Sequence, residues 1–315
     1  MSVADLVKKK DLEAFKSYVR TRPDDQRAIA LRTAARHGRL EAVRFAREWV
    51  ADLNTTNPYG ATALWLAASE GHADVINLLL EQPNGDSQPP CCAIPDKSYG
   101  RTPLIVACAN GRWAAAKALL DHPNGPPDNV LHMRDKYGCS AFLYVFGSGR
   151  RAEEEGVESE EASAARLAVA DALRARGVDT TVADTEGGYT ALHVASGKEN
   201  EASVAYLLKH VPQLLNVADK QGRTPLWYSA RDGFIQAARM LLDAGANAST
   251  RDKEGISPLS SAAAKGHLPI VQLLVERGAN VVARDSSGRR PLELAHQEGH
   301  DAVVTYLAVR RVCVE

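Results

Sequence analysis

The stretch GRTPLIVACANGRWAAAKALL, residues 100–120, decides the fold of this chain. Thr102 and Pro103 predict a helix start, because an N-cap threonine accepts hydrogen bonds from unpaired N–H groups and a proline at the first helical position loses none. Small residues follow, Gly111 ends this first helix, and an apolar segment that closes on two leucines predicts a second helix. One such pair of helices cannot bury its own apolar face, so it must pack against neighbours.

The same phrase recurs along the whole chain. Clear copies begin at Gly60, Gly100, Gly222, Gly255 and Gly288, weaker copies begin at Ala30, Gly138 and Gly188, and a half-copy begins at Leu6. The glycine in the middle of each copy, with Glu199 standing in once, falls at positions 38, 71, 111, 149, 199, 233, 266 and 299. Most of these are 33 or 34 residues apart, so the sequence contains about nine repeats of one structural unit.

A 33-residue period with a start like Thr-Pro-Leu-His resembles the ankyrin repeat, and the resemblance covers almost the whole chain. It implies an all-α fold, a solenoid of stacked helix–turn–helix repeats with short β-hairpin fingers. We therefore expect residues 1–315 to form a single ankyrin-repeat domain. The fifty alanines agree with this expectation, because small side chains let neighbouring helices approach closely.

Successive repeats are joined by Asp-x-x-Gly, the chemistry of a tight turn. In ankyrin proteins this segment forms the tip of a finger. We expect the aspartate to bind backbone N–H groups and the glycine to supply a positive φ. Gly245 and Gly278 should close second helices in the same left-handed conformation. The joining segments are 135–138, 184–187, 219–222, 252–255 and 285–288.

Three insertions lengthen the repeats between residues 82 and 163. Gln82–Pro95 and His122–Met133 follow second helices, and their proline, glycine and asparagine content predicts loops beside the fingers. Gly149–Ser163 lies between two helices of one repeat, is acidic and poor in apolar residues, and predicts a mobile loop. The alternative for this third insertion is a neutral surface loop.

Charge and composition exclude several classes of protein. With 38 basic and 39 acidic residues the net charge is −1, which argues against binding to nucleic acid or to a membrane surface. An excess of basic residues in the first fifty positions, twelve against seven, fits solvated helix faces. No apolar run reaches the roughly 18 residues that span a bilayer. Five cysteines, an odd number, favour a reducing compartment, and we expect the cytoplasm, with the nucleus left open.

Tyrosines at the predicted finger tips are the first candidates for partner binding. Tyr59, Tyr99 and Tyr137 each lie just before a finger glycine, and Tyr189 lies just after one. Tyrosine is enriched at binding hot spots, so a row of tyrosines is typical of contact anchors. The alternative is that each tyrosine only packs on its neighbouring finger.

The first helices supply the remaining candidates, because fingers and first helices line the concave face of ankyrin stacks. We expect partner contacts from the variable positions of this face, although the position of Trp65 and Trp227 commonly packs between repeats instead. Mixed aromatic and charged side chains on one face suit a protein or peptide surface. These candidates are Trp65, Glu70, Asn110, Tyr144, Lys198, Trp227, Tyr228, Arg231 and Asp232.

Histidines and cysteines give little sign of chemistry. His72, His193, His267 and His300 occupy repeat positions where hydrogen bonding within the scaffold is expected, which leaves His122 and His132 on an insertion. A zinc site built from these two, Cys91, Cys92 and Cys139 would lack closely spaced ligand pairs. We therefore predict no metal and no cofactor, and find no known catalytic motif.

The resulting prediction is a non-enzymatic scaffold that binds a partner protein through its finger tips and concave helices. The main alternative is a small-molecule or catalytic site in the groove of repeats three to five, because the insertions cluster near Trp65, Glu70, Asn110, Tyr144 and Ser148. A closed pocket with convergent polar groups would favour that alternative. Nothing in the sequence identifies the partner.

Overall fold

The computed structural model describes residues 2–81, 91–147 and 159–312. Within these ranges the chain is a series of short α-helices, and the β-structure is confined to one isolated bridge between Arg134 and Ser140. The helices are α1 Val3–Lys9, α2 Leu12–Thr21, α3 Asp24–Arg36, α4 Leu40–Arg47, α5 Ala63–Glu70, α6 Ala73–Leu80, α7 Pro103–Ala109, α8 Trp113–Asp121, α9 Asp128–Leu131, α10 Ala141–Val145, α11 Glu160–Ala175, α12 Ala191–Ser196, α13 Glu201–His210, α14 Pro225–Asp232, α15 Ile235–Asp243, α16 Pro258–Ala264, α17 Leu268–Glu276, α18 Pro291–Gln297 and α19 Asp301–Val312. The predicted all-α architecture is confirmed.

The helices group into two units, residues 1–145 with 156–179 and residues 146–155 with 180–315. In the first unit the repeats are the pairs α1/α2, α3/α4, α5/α6, α7/α8 and α10/α11. In the second unit they are α12/α13, α14/α15, α16/α17 and α18/α19. Within each unit first helices pack on first helices, as α3 does on α5 and α14 on α16, and second helices pack on second helices, as α6 does on α8. The core of each unit is therefore built between neighbouring repeats.

Two of the three helices that begin with Thr-Pro or Ser-Pro have the predicted side-chain cap. Thr102 and Ser257 accept hydrogen bonds from the N–H groups of Ile105 (3.3 Å) and Ser260 (3.1 Å). Thr224 also lies at an N-cap, but its hydroxyl makes no cap bond. The Trp227 N–H instead donates to the carbonyl of Thr224 at 3.0 Å, which takes the place of the side-chain cap.

Helix ends were predicted correctly at most glycines and wrongly in repeat six. Gly245 and Gly278 have φ values of +90° and +82°, as a left-handed helix end requires. In repeat six, however, α12 ends at Gly197, whose φ is −89°, and Asn200 caps the following helix. Glu199 therefore does not replace the helix-ending glycine. Gly149 lies outside the described residues.

The fingers are five- and six-residue turns, residues 57–61, 96–101, 135–139, 184–189, 219–223, 252–256 and 285–289. In each turn the first N–H donates to the last carbonyl, as Asp135 does to Cys139 at 3.0 Å. The finger at 184–189 is one residue longer than predicted, so its positive φ lies at Gly188 (+78°) and not at Gly187. The prediction for Gly187 was wrong because the Asp184 N–H donates to the carbonyl of Tyr189 and not to that of Gly188.

Main-chain hydrogen bonds connect neighbouring fingers within each unit. In each of these bonds, the second residue of a turn donates its N–H to a carbonyl at the tip of the preceding finger, at a distance of 2.8 Å. The bonds run from Lys97 to Tyr59, from Lys136 to Tyr99, from Lys220 to Gly187, from Lys253 to Gln221 and from Ser286 to Glu254. We call this regular set the finger ladder.

The insertions are more ordered than their composition predicts, as far as they are described. Within His122–Met133, α9 buries Val130 and Leu131, and Arg176 of the same unit donates to Asp128 at 2.7 Å and to the Pro126 carbonyl at 2.9 Å. The prediction of a plain loop was wrong there, because two apolar side chains give this segment a core contact.

The other two insertions fall partly outside the described residues. Of Gln82–Pro95, only 91–95 are described, and Cys92 is buried. Of Gly149–Ser163, positions 149–158 lie outside the described residues. Ser159 caps α11 by accepting from the Ala162 N–H at 3.2 Å, so 160–163 form the first turn of a helix and not a loop.

Candidate functional site

Buried aspartates organise the fingers and the first helices beside them. Asp219 Oδ1 accepts the N–H groups of Gln221 (2.7 Å) and Arg223 (2.9 Å), and Asp135 Oδ1 accepts those of Tyr137 (2.9 Å) and Cys139 (3.0 Å). This confirms the predicted turn chemistry. The second carboxylate oxygen of each aspartate is left to bind a tyrosine of a first helix and an arginine of a finger.

In the first unit this second oxygen holds two of the aromatic and basic side chains in place. Tyr144 Oη donates to Asp135 Oδ2 at 2.6 Å, and Arg101 Nε donates to the same oxygen at 3.2 Å. Arg101 Nη2 also donates to Tyr144 Oη at 2.7 Å. Burial, together with the bond to Asp135, raises the pKa of Tyr144. Tyr144 is 4% exposed, so its hydroxyl is committed to the scaffold.

The second unit contains a matching network. Tyr228 Oη and Arg223 Nε donate to Asp219 Oδ2 at 2.7 and 2.9 Å, and Arg223 Nη2 donates to Tyr189 Oη at 3.1 Å. Burial disfavours the charge of Asp219, but the bonds from Tyr228 and from backbone N–H groups outweigh it and lower its pKa. The carboxylate is therefore ionised and fixed at neutral pH.

Two arginines and two rings form the centre of the largest cluster that contains predicted site residues. The guanidinium carbon of Arg223 lies 5.2 Å from the Trp227 ring centroid and 5.1 Å from that of Tyr228. That of Arg231 lies 5.4 and 4.9 Å from the same two centroids. Arg231 also binds Asp232 through two bonds of 2.6 and 2.7 Å. We call Tyr189, His193, Arg223, Trp227, Tyr228, Arg231 and Asp232 the aromatic–arginine cluster.

The cluster is rigid because each charged group is bonded to a carboxylate and each arginine lies against rings. Tyr189 contacts His193 and Tyr228 edge-on, with centroids 6.4 and 5.8 Å apart. Arg231 keeps 35% of its side chain exposed, so it presents a fixed cation to solvent. Such a surface is suited to bind a partner with little loss of conformational entropy.

The finger-tip tyrosines of the first unit differ in exposure. Tyr59 is 70% exposed and Tyr99 is 44% exposed, whereas Tyr137 is half-buried. The Tyr99 and Tyr137 rings lie 6.1 Å apart, and the Arg101 guanidinium lies 4.8 Å from the Tyr99 centroid. Tyr137 therefore packs on its neighbouring finger, whereas Tyr59 and Tyr99 present their rings to solvent, and their role as contact anchors stays a prediction.

The position of histidine in Thr-Pro-Leu-His serves the contact between repeats. Trp65 Nε1 donates to the Arg101 carbonyl at 2.8 Å, and His193 Nε2 lies 3.0 Å from the Arg223 carbonyl. Trp227 occupies the same position, but its buried Nε1 has no acceptor among the described residues. Its ring packs against the two arginines of the cluster instead.

The other polar candidates are spread over separate repeats. Glu70 lies 3.6 Å from Arg36, Asn110 Nδ2 donates to the Ser69 carbonyl (3.1 Å), and Lys198 packs against Gly147. The structure thus gathers five of the predicted residues into one cluster, Tyr189, Trp227, Tyr228, Arg231 and Asp232, and leaves these three apart from it.

Four histidines perform the predicted structural role. The Nε2 atoms of His72, His267 and His300 lie 3.0 to 3.1 Å from carbonyls of the preceding repeat, at Arg36, Arg231 and Ala264. His193 Nε2 instead lies 3.0 Å from the carbonyl of Arg223 in the following finger. The prediction that these histidines stabilise the scaffold is confirmed.

One residue with an unusual environment is not among the predicted site residues. Arg32 is half-buried on α3, at the position that holds Trp65 on α5 and His193 on α12. Its Nη1 donates to Thr55 Oγ1 at 2.7 Å, and it forms no ion pair with any residue that the structure describes. The sequence offered a signal, because a permanently charged side chain stands at a position that tryptophan, isoleucine, leucine or histidine fills in five other repeats.

The buried cysteines Cys92 and Cys108 are not activated as nucleophiles. Burial raises the pKa of Cys92 and of Cys108 to about 12, so both thiols are protonated at neutral pH. Cavities of about 300 and 530 Å³ lie in other repeats, lined by residues such as Leu6 and Phe15, and by Val275 and Arg310. Over residues 2–81, 91–147 and 159–312 there is no group of three or more His, Cys, Asp or Glu side chains that could hold a metal ion.

Comparison with known protein families agrees with this architecture. A family model described as ankyrin repeats (3 copies) matches residues 4–89, 31–130, 161–252 and 244–313. Together these matches cover well over half of the chain. In the part of the chain that the structure describes, no helix is both long and apolar enough to span a membrane.

Proposed function

Because the chain belongs to the ankyrin repeat family, whose repeats are generally protein–protein interaction modules, we propose that it is a non-enzymatic scaffold that binds a partner protein. The proposal takes residues 1–315 as a single binding domain. It assigns the contacts to the finger tips and to the exposed faces of the first helices. The partner is a protein or peptide, with no cofactor involved.

The observation that carries the proposal is the aromatic–arginine cluster. Tyrosine, tryptophan and arginine are the residue types most enriched at binding hot spots. Here they are held in place before any partner arrives, with Arg231 bonded to Asp232 and stacked on Trp227 and Tyr228. Preorganisation of this kind lowers the entropic cost of association.

The finger-tip tyrosines of the first unit are a separate group of proposed contacts. Tyr59 and Tyr99 are large aromatic side chains left exposed at the ends of rigid turns. Their backbone is fixed by the finger ladder, so each ring is presented at a defined place. A partner that covers both rings gains apolar burial at low conformational cost.

A capture experiment with the full chain tests this proposal. Immobilised wild-type protein, the double variant Tyr59→Ala/Tyr99→Ala and the variant Arg231→Ala are incubated with an extract of the native source, and retained proteins are quantified by mass spectrometry. Val309→Ala, at another exposed apolar side chain, serves as the matched control. Tyr228 is left unchanged because its hydroxyl holds the buried Asp219.

We expect at least one protein to be retained equally by wild type and control, and about tenfold less by one or both of the other variants. Equal retention on all four proteins contradicts the proposed surface. Turnover of a defined small substrate, abolished by the same substitutions, contradicts the non-enzymatic assignment.

A further inference from the structure

Arg32 differs from the arginines that serve the fingers. Arg101, Arg223 and Arg289 each donate to the carboxylate of a buried finger aspartate, at 3.2, 2.9 and 2.9 Å. Arg32 donates only to a neutral hydroxyl, Thr55 Oγ1. Its Nε and Nη2 groups have no acceptor among the residues that the structure describes, so most of its hydrogen-bonding capacity is unused.

The environment of Arg32 is unfavourable for a charge. The side chain is half-buried, and burial lowers its pKa without any compensating carboxylate. A cation that is removed from water and not paired destabilises the folded protein. Packing alone therefore does not explain why an arginine stands where five other repeats have tryptophan, isoleucine, leucine or histidine.

The neighbours of Arg32 on α3 complete a recognisable surface. Ile29 and Arg36 lie three residues before it and four after it, so all three side chains share one face of the helix. Ile29 is 45% exposed, and the Arg36 side chain is 60% exposed with only a long 3.6 Å contact to Glu70. The face thus combines two cations with one exposed apolar group.

We propose that Ile29, Arg32 and Arg36 bind a segment of the partner protein that presents a carboxylate next to an apolar side chain. A guanidinium matches a carboxylate through two parallel hydrogen bonds, and Arg32 has the donors available for them. The first fifty residues contain twelve basic and seven acidic residues, and this excess also favours a negatively charged partner segment. This inference rests on the proposed function and adds the chemical class of the partner segment.

A stability measurement tests whether the scaffold itself needs this cation. Arg32→Gln should leave the melting temperature of the full chain unchanged or raise it, because it removes an unpaired half-buried charge. Arg223→Gln should lower the melting temperature, because it leaves Asp219 without its ion pair. If Arg32→Gln lowers the melting temperature as much as Arg223→Gln does, Arg32 is a structural residue and the inference fails.

A binding measurement identifies the partner chemistry. Random peptides of about twelve residues, displayed on phage, are selected on the wild-type full chain and then tested on Arg32→Gln. Arg44→Gln is the control, since it removes a similar charge from an exposed site on the second helix of the same repeat. We expect a class of peptides that contain Asp or Glu and that bind Arg32→Gln about tenfold more weakly or worse, with Arg44→Gln unaffected.

A double-mutant cycle links the two groups. Replacing the peptide carboxylate by its amide should weaken binding to the wild type by a similar factor and leave binding to Arg32→Gln unchanged. Selected peptides without acidic residues, the absence of peptides sensitive to Arg32, or equal losses on Arg32→Gln and Arg44→Gln would each overturn the inference. Peptides that depend on Tyr59 or Arg231 and ignore Arg32 would overturn it while leaving the proposed function intact.

Discussion

Single residues hold the fingers and the first helices together through buried charge. Asp135 and Asp219 each bind a tyrosine nine residues further along, at Tyr144 and Tyr228. The shared spacing is visible in the sequence. Turn chemistry predicts the hydrogen-bond partners of only one carboxylate oxygen, because it concerns bonds to backbone N–H groups alone. The partner of the second oxygen depends on where the first helix places its tyrosine ring.

Removing the buried carboxylate of Asp219 should strongly destabilise the protein. Asp219→Ala leaves Arg223 and the Tyr228 hydroxyl without their partner, and the expected loss is about 3 kcal/mol in the free energy of unfolding. Urea denaturation measures the change. Glu254→Gln, on an exposed position of the next finger, should lower the free energy of unfolding by less than about a fifth of that amount. A small effect of Asp219→Ala would mean that the network adds little to stability.

His193 should make stability depend on pH. Burial lowers its pKa in the folded state below the ordinary value of 6.5, so the neutral form is the folded form. The stabilisation is present above pH 6.5 and is lost as the pH falls towards the folded pKa, because the unfolded chain takes up the proton first.

The measurement compares urea midpoints at pH 7.5 and pH 5.5. The wild type should lose more stability over this range than His193→Gln, which has no titrating ring at this site. Other histidines, including His37, whose pKa burial also lowers, contribute equally to both proteins. An identical pH dependence in the two proteins would contradict the role assigned to His193.

At the scale of helices and turns, glycines that look equivalent in the sequence have different reasons to be glycine. Gly266 ends α16 with a φ of +75°, and a Cβ there would lie 2.5 Å from His300 Nδ1. Gly197 ends α12 with a φ of −89°, where a Cβ would meet nothing closer than 3.5 Å. Only the first requires glycine.

Alanine substitutions at the two glycines should therefore have different effects on the free energy of unfolding. Gly266→Ala should lower the free energy of unfolding by about 1–2 kcal/mol, because alanine resists the left-handed conformation. Gly197→Ala should leave it unchanged or raise it by up to about 1 kcal/mol, because the unfolded chain loses freedom. Urea midpoints provide the comparison. Destabilisation of similar size in both would show that Gly197 is also under a steric constraint.

Element boundaries were predictable where local chemistry sets them, as at Thr102 and Gly245, and not where packing does. Composition gave no sign of α9, because its proline-rich flanks favour a loop and only the burial of Val130 and Leu131 fixes the helix. The longer finger at 184–189 was ambiguous, since Gly187 and Gly188 both suit a turn. The arginine at this repeat position is visible in the sequence, but that no described carboxylate pairs with Arg32 is visible only in the structure.

For the whole molecule, the repeat organisation predicts that a destabilising substitution loosens the adjoining repeats more than distant ones. Each repeat is stabilised chiefly by the adjoining ones in its unit. Asp219→Ala should therefore accelerate hydrogen exchange at the ladder amides of Lys220 and Lys253 far more than at Lys97. Hydrogen-exchange mass spectrometry with peptide resolution measures this. Uniform acceleration along the chain would instead indicate a single cooperative transition.

The finger ladder has a consequence for evolvability. Its bonds use only main-chain N–H and carbonyl groups, so the side chains at the tips are not needed for it. The second unit carries Gln221 and Glu254 where the first carries Tyr59 and Tyr99, with the same 2.8 Å bonds. Tip residues can therefore be exchanged by mutation or design at little cost to folding, and this scaffold can acquire a new recognition surface while its architecture stays the same.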